Sequence, residues 1–202
     1  MRQIGPEAHY EDVASESPKL RLVRPGSPAP SPETTTRAPV DTTDLDAVFR
    51  RFAPYVAKIG ARLLGRHDEI DDLVQDVFLD AVRGLRALRE PDAVRAWLAT
   101  VTVRRARRRL KRRALLAVCG LDREMDVERL VDPEASADTR AQLMALYRAL
   151  DGVPVDARIA WILFHVEGYS LEELAEVGGC SRATAHRRVR RAQAAVDEVR
   201  RA

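Results

Sequence analysis

Ile70, Leu73, Val74, Val77, Phe78, Ala81, Val82, Leu85 and Leu88 recur at steps of three and four residues. That spacing lines one face of a helix. It cannot line a strand, whose side chains alternate every second residue. Asp71, Asp72, Gln75, Asp76 and Asp80 fall off the stripe. Acidic residues crowd the first turns, where the positive end of a helix favours them. The segment 68–89 therefore predicts an amphipathic helix with an acidic outer face.

The same period continues on both sides. Leu45, Val48, Phe49, Phe52, Val56, Ile59 and Leu63 predict a preceding helix, with a kink or a restart at Pro54. Pro91 suits the first turn of a third helix. Val94, Trp97, Leu98 and Val101 give it a buried stripe, and the spacing favours Trp97 as core filling over stacking near DNA. Beyond Val101 the stripe almost vanishes, leaving Leu110 inside a basic run. A second helical block starts near Asp138 with Leu143, Leu146, Tyr147 and Leu150, and stops near Gly152. Pro154 opens the next helix, with Ile159, Ile162, Leu163 and Val166 inward and an end at Gly168. In "SLEEL", Ser170 and Glu173 match a capping box. That helix ends at "GGC", and Ser181 can cap a last helix over 182–198. No strand pattern of any length is present. Aromatic residues are only 5% of the chain, so the core is mostly Leu, Val and Ala. The expected fold is all-α: two small helical domains over 44–115 and 137–202, joined by an irregular acidic linker over 116–136. Residues 1–43 hold seven of the eleven prolines, a composition that predicts a disordered Pro/Thr-rich tail.

Charge is sorted into blocks. Residues 91–115 carry nine basic and one acidic side chain, residues 116–181 five and thirteen, and residues 182–202 seven and two. Two separate basic blocks are what a polyanion partner selects. Cys119 and Cys180 are far apart, and the four histidines show no ligand spacing. No metal site or cofactor is expected, and unpaired thiols fit a reducing cytoplasm. No apolar run approaches a membrane span, and no secretory signal is visible, so membrane insertion is not expected.

Three segments carry chemistry. "LEELAEVGGCSRATAHRRVRRA" sets Ala175, Gly179 and Ala185 at the spacing of a helix-turn-helix. Ala175 lets two helices cross closely, Gly179 supplies the positive φ of the turn, and Ala185 faces into the angle. The second helix would expose Arg182, Thr184, His186, Arg187, Arg188, Arg190 and Arg191 to base edges and phosphates. An ordinary helical hairpin with a solvated basic face is the plainer alternative. The run 104–113 has eight Arg or Lys in ten residues. Alone it is a polyanion patch; attached to a buried stripe, it reads as a rigid helix leaving a packed domain. The acidic face of 68–89 is either a solvated helix start or a charged docking surface for a protein. A hydrolase using Asp71, Asp72 and His67 lacks a supporting constellation, so the chain is not expected to be an enzyme.

Together these segments resemble a family. "DEIDDLVQDVFLDAV" is similar to the region 2 core of the extracytoplasmic-function sigma factors of bacterial RNA polymerase. "VRAWLATVTVRRARRRLKRR" is similar to the helix that follows it, and "VPVDARIAWILFHVEGYSLEELAEVGGCSRATAHRRVRRA" to region 4. The resemblance spans about residues 44–198. It implies a sigma factor whose partners are core RNA polymerase and promoter DNA, with an anti-sigma protein as a further partner class. It implies that Asp71, Asp72, Gln75 and Asp76 bind the polymerase clamp helices. The loop Leu85–Asp92 and the basic helix, with Arg104, Arg105, Arg108, Arg109, Lys111 and Arg112, would recognise the minus-ten element and hold the melted strand. Arg182, Thr184, His186, Arg187, Arg190 and Arg191 would read the minus-thirty-five element. The acidic linker would run through the polymerase. Two departures stand out: Arg104 replaces an Asn usual in the family, and "TAHRR" replaces a TVxSR pattern. A stand-alone helix-turn-helix regulator is the alternative function.

Overall fold

The computed structural model describes residues 44–85, 93–118 and 136–201. Among them lie seven α-helices and no strand: α1 (Leu45–Leu64), α2 (Ile70–Gly84), α3 (Val94–Val118), α4 (Ala137–Asp151), α5 (Val155–His165), α6 (Leu171–Gly178) and α7 (Arg182–Arg201). Residues 1–43 and 119–135, with Leu88 and Pro91, lie outside the described residues.

Helices α1, α2 and α3 pack on one another as a three-helix unit. Asp44 starts α1 by accepting from the amides of Asp46 and Ala47 at 3.1 and 3.0 Å. The helix does not restart at Pro54, which sits inside it. Pro54 removes one hydrogen bond, yet Ala53, Val56 and Ile59 are buried around it, so tertiary packing holds the helix together. On α2 the expected stripe is buried except at its edge, where Val82 is exposed and Phe78 only half-covered by its edge-on contact with Phe49. The indole of Trp97 lies against Gly84. A Cβ there would sit 2.3 Å from a ring carbon, so this approach of α2 to α3 needs glycine. Trp97 thus packs against the core, as its spacing predicts.

Helix α3 differs most from its expectation. Its buried stripe continues through Thr102, Val103, Ala106 and Leu110. Two of those four are small or polar and were overlooked among the arginines. The Thr102 hydroxyl is satisfied by donating to the Leu98 carbonyl at 2.7 Å. The helix also runs to Val118, three residues past the expected domain edge.

The second unit is α4–α7. Ser136 caps α4, Pro154 precedes α5, and Ser170 with Glu173 forms the expected capping box on α6. Gly179 ends α6 at φ +57°, the left-handed conformation that the turn requires. Trp161 fills the middle of this unit and donates to Gln193 at 2.8 Å. The two units share one apolar core, because α5 and α6 also pack on α3 and α5 on α1.

Candidate nucleic-acid interface

The basic run of α3 is divided among four directions by helical geometry, at 100° per residue. Val103, Ala106 and Leu110 point into the core. Arg105, Arg109 and Arg113 point at α2 and form a ladder. Arg105 grips Asp80 bidentately, at 2.8 Å from Nε and 2.6 Å from Nη2. Arg109 donates to Asp76 at 2.5 Å. Arg113 donates to Glu69 at 2.8 Å and to the Leu64 carbonyl at 2.8 Å. Arg107 points at the other unit, with Nε 2.8 Å from Asp156 and Nη2 3.5 Å from the Gly178 carbonyl. Arg104, Arg108, Lys111 and Arg112 remain exposed and carry no ion pair with the described residues. They sit at i, i+4, i+7 and i+8, which is one face.

Electrostatics follow the ladder. The hydrogen bonds from Arg105 hold the Asp80 carboxyl below its ordinary value, against the opposing effect of partial burial. The same bond raises the Arg105 guanidinium. Both stay ionised at neutral pH. The ladder therefore cancels Arg105 and Arg109 as free positive charge, and leaves the Arg104 face as the one that a phosphate would meet.

The acidic face of α2 is divided in the same way. Asp71, Asp72 and Gln75 are exposed, while Asp76 is half-buried and occupied by Arg109. Leu79 and Val82 extend this face with exposed apolar surface. An acidic rim beside an exposed apolar strip suits a protein partner better than a nucleic acid.

In the helix-turn-helix, Leu174, Ala185 and Val189 close the angle between α6 and α7. Ser181 accepts from the Thr184 amide at 3.2 Å, and its hydroxyl donates to the Thr184 hydroxyl at 3.0 Å. Thr184 is thus half-buried in the cap rather than fully displayed. Arg188 also departs from expectation: it turns inward, donating to Cys180 Sγ at 3.3 Å and to Asp156 at 3.5 Å. His186, Arg187, Arg190 and Arg191 are exposed. Arg182 is exposed and paired with Glu172 at 2.5 Å. Leu171, Arg182, Ala183 and His186 line an open hollow at the start of α7.

Sequence reasoning missed Arg107, Asp156, Arg158 and Glu167, which join the two units. No local pattern marks them, since each partner is remote in the chain. The α2–α3 ladder was findable: Arg105, Arg109 and Arg113 are spaced by four, opposite Asp80, Asp76 and Glu69 in reverse order. Among the described residues, no group of three or more His, Cys, Asp and Glu could hold a metal ion. None of the described helices is long and apolar enough to cross a membrane.

The Sigma-70 region 2 family matches residues 48–115, and the Sigma-70 region 4 family matches residues 143–196. The ECF RNA polymerase sigma factor SigM of Mycobacterium tuberculosis is 33% identical over 155 residues, covering 76% of each chain. The ECF RNA polymerase sigma-E factor of Escherichia coli is 27% identical over 156 residues, covering 73% of this chain and 81% of that one. The fold is similar to that of the sigma factor RpoE solved with the anti-sigma factor NepR from Bartonella quintana. That match has a TM-score of 0.61 at 24% identity, over 79% of this chain and 98% of that one. It is also similar to CnrH solved with the cytosolic domain of CnrY, with a TM-score of 0.55 at 22% identity, over 79% and 88%. An acidic helix, a basic helix fixed beside it and a helix-turn-helix, in this order and with these matches, make the chain a member of the extracytoplasmic-function sigma factors, which bind core RNA polymerase and direct promoter-specific initiation.

Proposed function

We propose that each exposed face serves one partner. Asp71, Asp72 and Gln75, with Asp76 at the rim, dock the clamp helices of core polymerase. Arg104, Arg108, Lys111 and Arg112 hold the melted strand at the minus-ten element. Arg105 and Arg109 act behind them as positioning residues. On α7, Arg182, His186, Arg187, Arg190 and Arg191 read the minus-thirty-five element, with Thr184 setting the start of the helix. The observation that carries this reading is the sorting of α3 into a neutralised face and a free one. A strand pulled from its duplex loses stacking, at a cost of a few kcal/mol. A fixed row of cations offsets that cost through phosphate contacts, because the ladder has already ordered the helix.

On this reading the chain is a binding subunit and not a catalyst. Arg104, where the family carries an amide, grips phosphate more than it reads a base. An anti-sigma protein is a further partner, in keeping with the two structural relatives, each solved with one. Co-elution with core polymerase tests the docking face. Asp72→Arg should weaken it at least tenfold. Wild-type co-elution of both Asp71→Arg and Asp72→Arg would overturn the assignment.

A further inference from the structure

The open hollow at the start of α7 has walls that the arginines do not explain. Leu171, the first residue of α6, and Ala183, the second of α7, make its apolar walls. Arg182 and His186 make its polar rim. Leu171 is half-buried and packs on the core, so its place is fixed. Ala183 and His186 are exposed. The Arg182 guanidinium is held at the rim by Glu172, at 2.5 Å.

The hollow is continuous with the exposed basic face of α7. Ala183 and Arg187 are four residues apart and lie on one face of the helix. Arg187 is itself placed: its Nη2 donates to the Thr184 hydroxyl at 3.3 Å, and the Ser181 hydroxyl donates to the same oxygen at 3.0 Å. In a helix-turn-helix, side chains in the first turns of the second helix reach base edges in the major groove. Thymine alone presents a methyl group there, beside the O4 acceptor. Guanine presents acceptors without a methyl, and cytosine and adenine present an amino donor. An amino donor would meet the Arg182 guanidinium, which has no acceptor to offer. Apolar walls beside donors from Arg182 and His186 therefore fit thymine and none of the other three bases.

We propose that this hollow is a thymine-reading site. The 5-methyl group packs between Leu171 and Ala183, and O4 accepts from Arg182 or His186. The site rests on the assignment of α7 to the minus-thirty-five element given above. It adds an apolar contact to a face otherwise read by cations, and it gives Leu171, on the first helix of the pair, a part in base recognition. Four residues of α7 advance about 6 Å and stacked base pairs about 3.4 Å, so the thymine lies about two pairs from the one that Arg187 meets.

The test uses the full chain bound to core polymerase. Duplexes randomised across the upstream element are selected for binding. The selected duplexes should share a thymine at one position, about two pairs from the position that Arg187→Ala relaxes. Deoxyuridine in place of that thymine removes the methyl group alone and should weaken binding about fourfold, the effect of one buried methyl. The other thymines of the element should be far less sensitive. Ala183→Asn fills the hollow with an amide, and Leu171→Ala removes a wall. Each should bind the thymine and uracil duplexes equally. Circular dichroism shows which variants are folded, and the surface position of Ala183 keeps the test decisive if Leu171→Ala loses helicity. Arg187→Ala should weaken both duplexes and leave their ratio intact. A selected element with no methyl-sensitive thymine would overturn the site, as would an undiminished thymine preference in folded Ala183→Asn. Cytosine or adenine selected at that position would overturn it too. The two failures are distinguishable. If the site alone fails, Arg187→Ala still alters the selected sequence; if the assignment of α7 fails, it does not.

Discussion

Helices α3 and α7 are both long and both basic, yet they handle their charge differently. On α3, Arg105, Arg109 and Arg113 are neutralised by α2, and Arg107 by α5. On α7, only Arg188 turns inward; Arg182 pairs in open solvent, and His186, Arg187, Arg190 and Arg191 stay exposed. Their anchors differ as well. Helix α3 is held by Leu98, Val101, Val103 and Leu110, while α7 alternates Ala185 and Ala192 with Val189 and Val196, which lets it lie close to α5. The difference teaches that a count of arginines along a sequence is not a binding footprint. What counts is which of them the fold leaves without a carboxylate.

That contrast can be broken at several strengths. The anchor of α3 should matter most: Leu98→Ala should cost about 2–5 kcal/mol in urea denaturation, whereas Val189→Ala on α7 should cost less because fewer atoms are removed. A smaller loss for Leu98 would mean that the stripe is not the core of its unit. Next, Arg187→Ala should shift base preference at the upstream element by about 1–3 kcal/mol and leave the downstream element unchanged, as read from binding to a substituted promoter series.

Within α3 the two faces should separate cleanly. Arg105→Ala should lower stability by about 1 kcal/mol, a modest figure because the pair is partly exposed and screened by solvent. Arg108→Ala should leave stability unchanged within about 0.5 kcal/mol. Binding should show the reverse order. Replacing both Arg104 and Arg108 should flatten the salt dependence of strand binding by about 0.7 per lost contact, and replacing Arg105 should not. Equal effects from the two faces would remove the distinction.

The smallest effects are those of acid, and they fall in different windows. Burial holds His165 below its ordinary value of 6.5, ahead of a smaller effect from Arg200. Its folded pKa is depressed, so the unfolded chain binds the proton first. The stability it contributes is complete above pH 6.5 and is lost as pH falls through the folded value. Asp80 is depressed from 3.8, so the ladder is complete above that pH and is lost only as pH falls through the lower folded value. On titration, the α4–α7 unit should therefore soften at higher pH than the α2–α3 pairing. His165→Phe should remove the first step, and Asp80→Asn the second, in thermal melts across pH.

The sequence made the helices legible where apolar residues recur in long runs, as on α2, and where local rules act, as in the Ser170–Glu173 capping box and the Gly179 turn. It hid what depends on partners far along the chain. Val103 and Ala106 continue the α3 stripe, but among eight basic neighbours their small side chains looked incidental. Pro54 predicted a kink or a restart because propensity speaks locally; the restart is absent, since three buried neighbours hold one continuous helix through it. The acidic helix α2 and the basic helices α3 and α7 were visible as charged segments. Which charges remain free was not, since that depends on how α2 and α3 pair side by side.

On the proposed reading, the free stripe on α3 would also act as a ruler. Arg104, Arg108 and Arg112 are marks about 6 Å apart, four residues at 1.5 Å each, and the whole scale is about 12 Å long. Set against a stacked strand at about 3.4 Å per nucleotide, it spans about four phosphates. The ladder behind it keeps the marks from sliding. If the stripe holds the melted strand as proposed, the length of strand it grasps is set by the distance between Arg104 and Arg112.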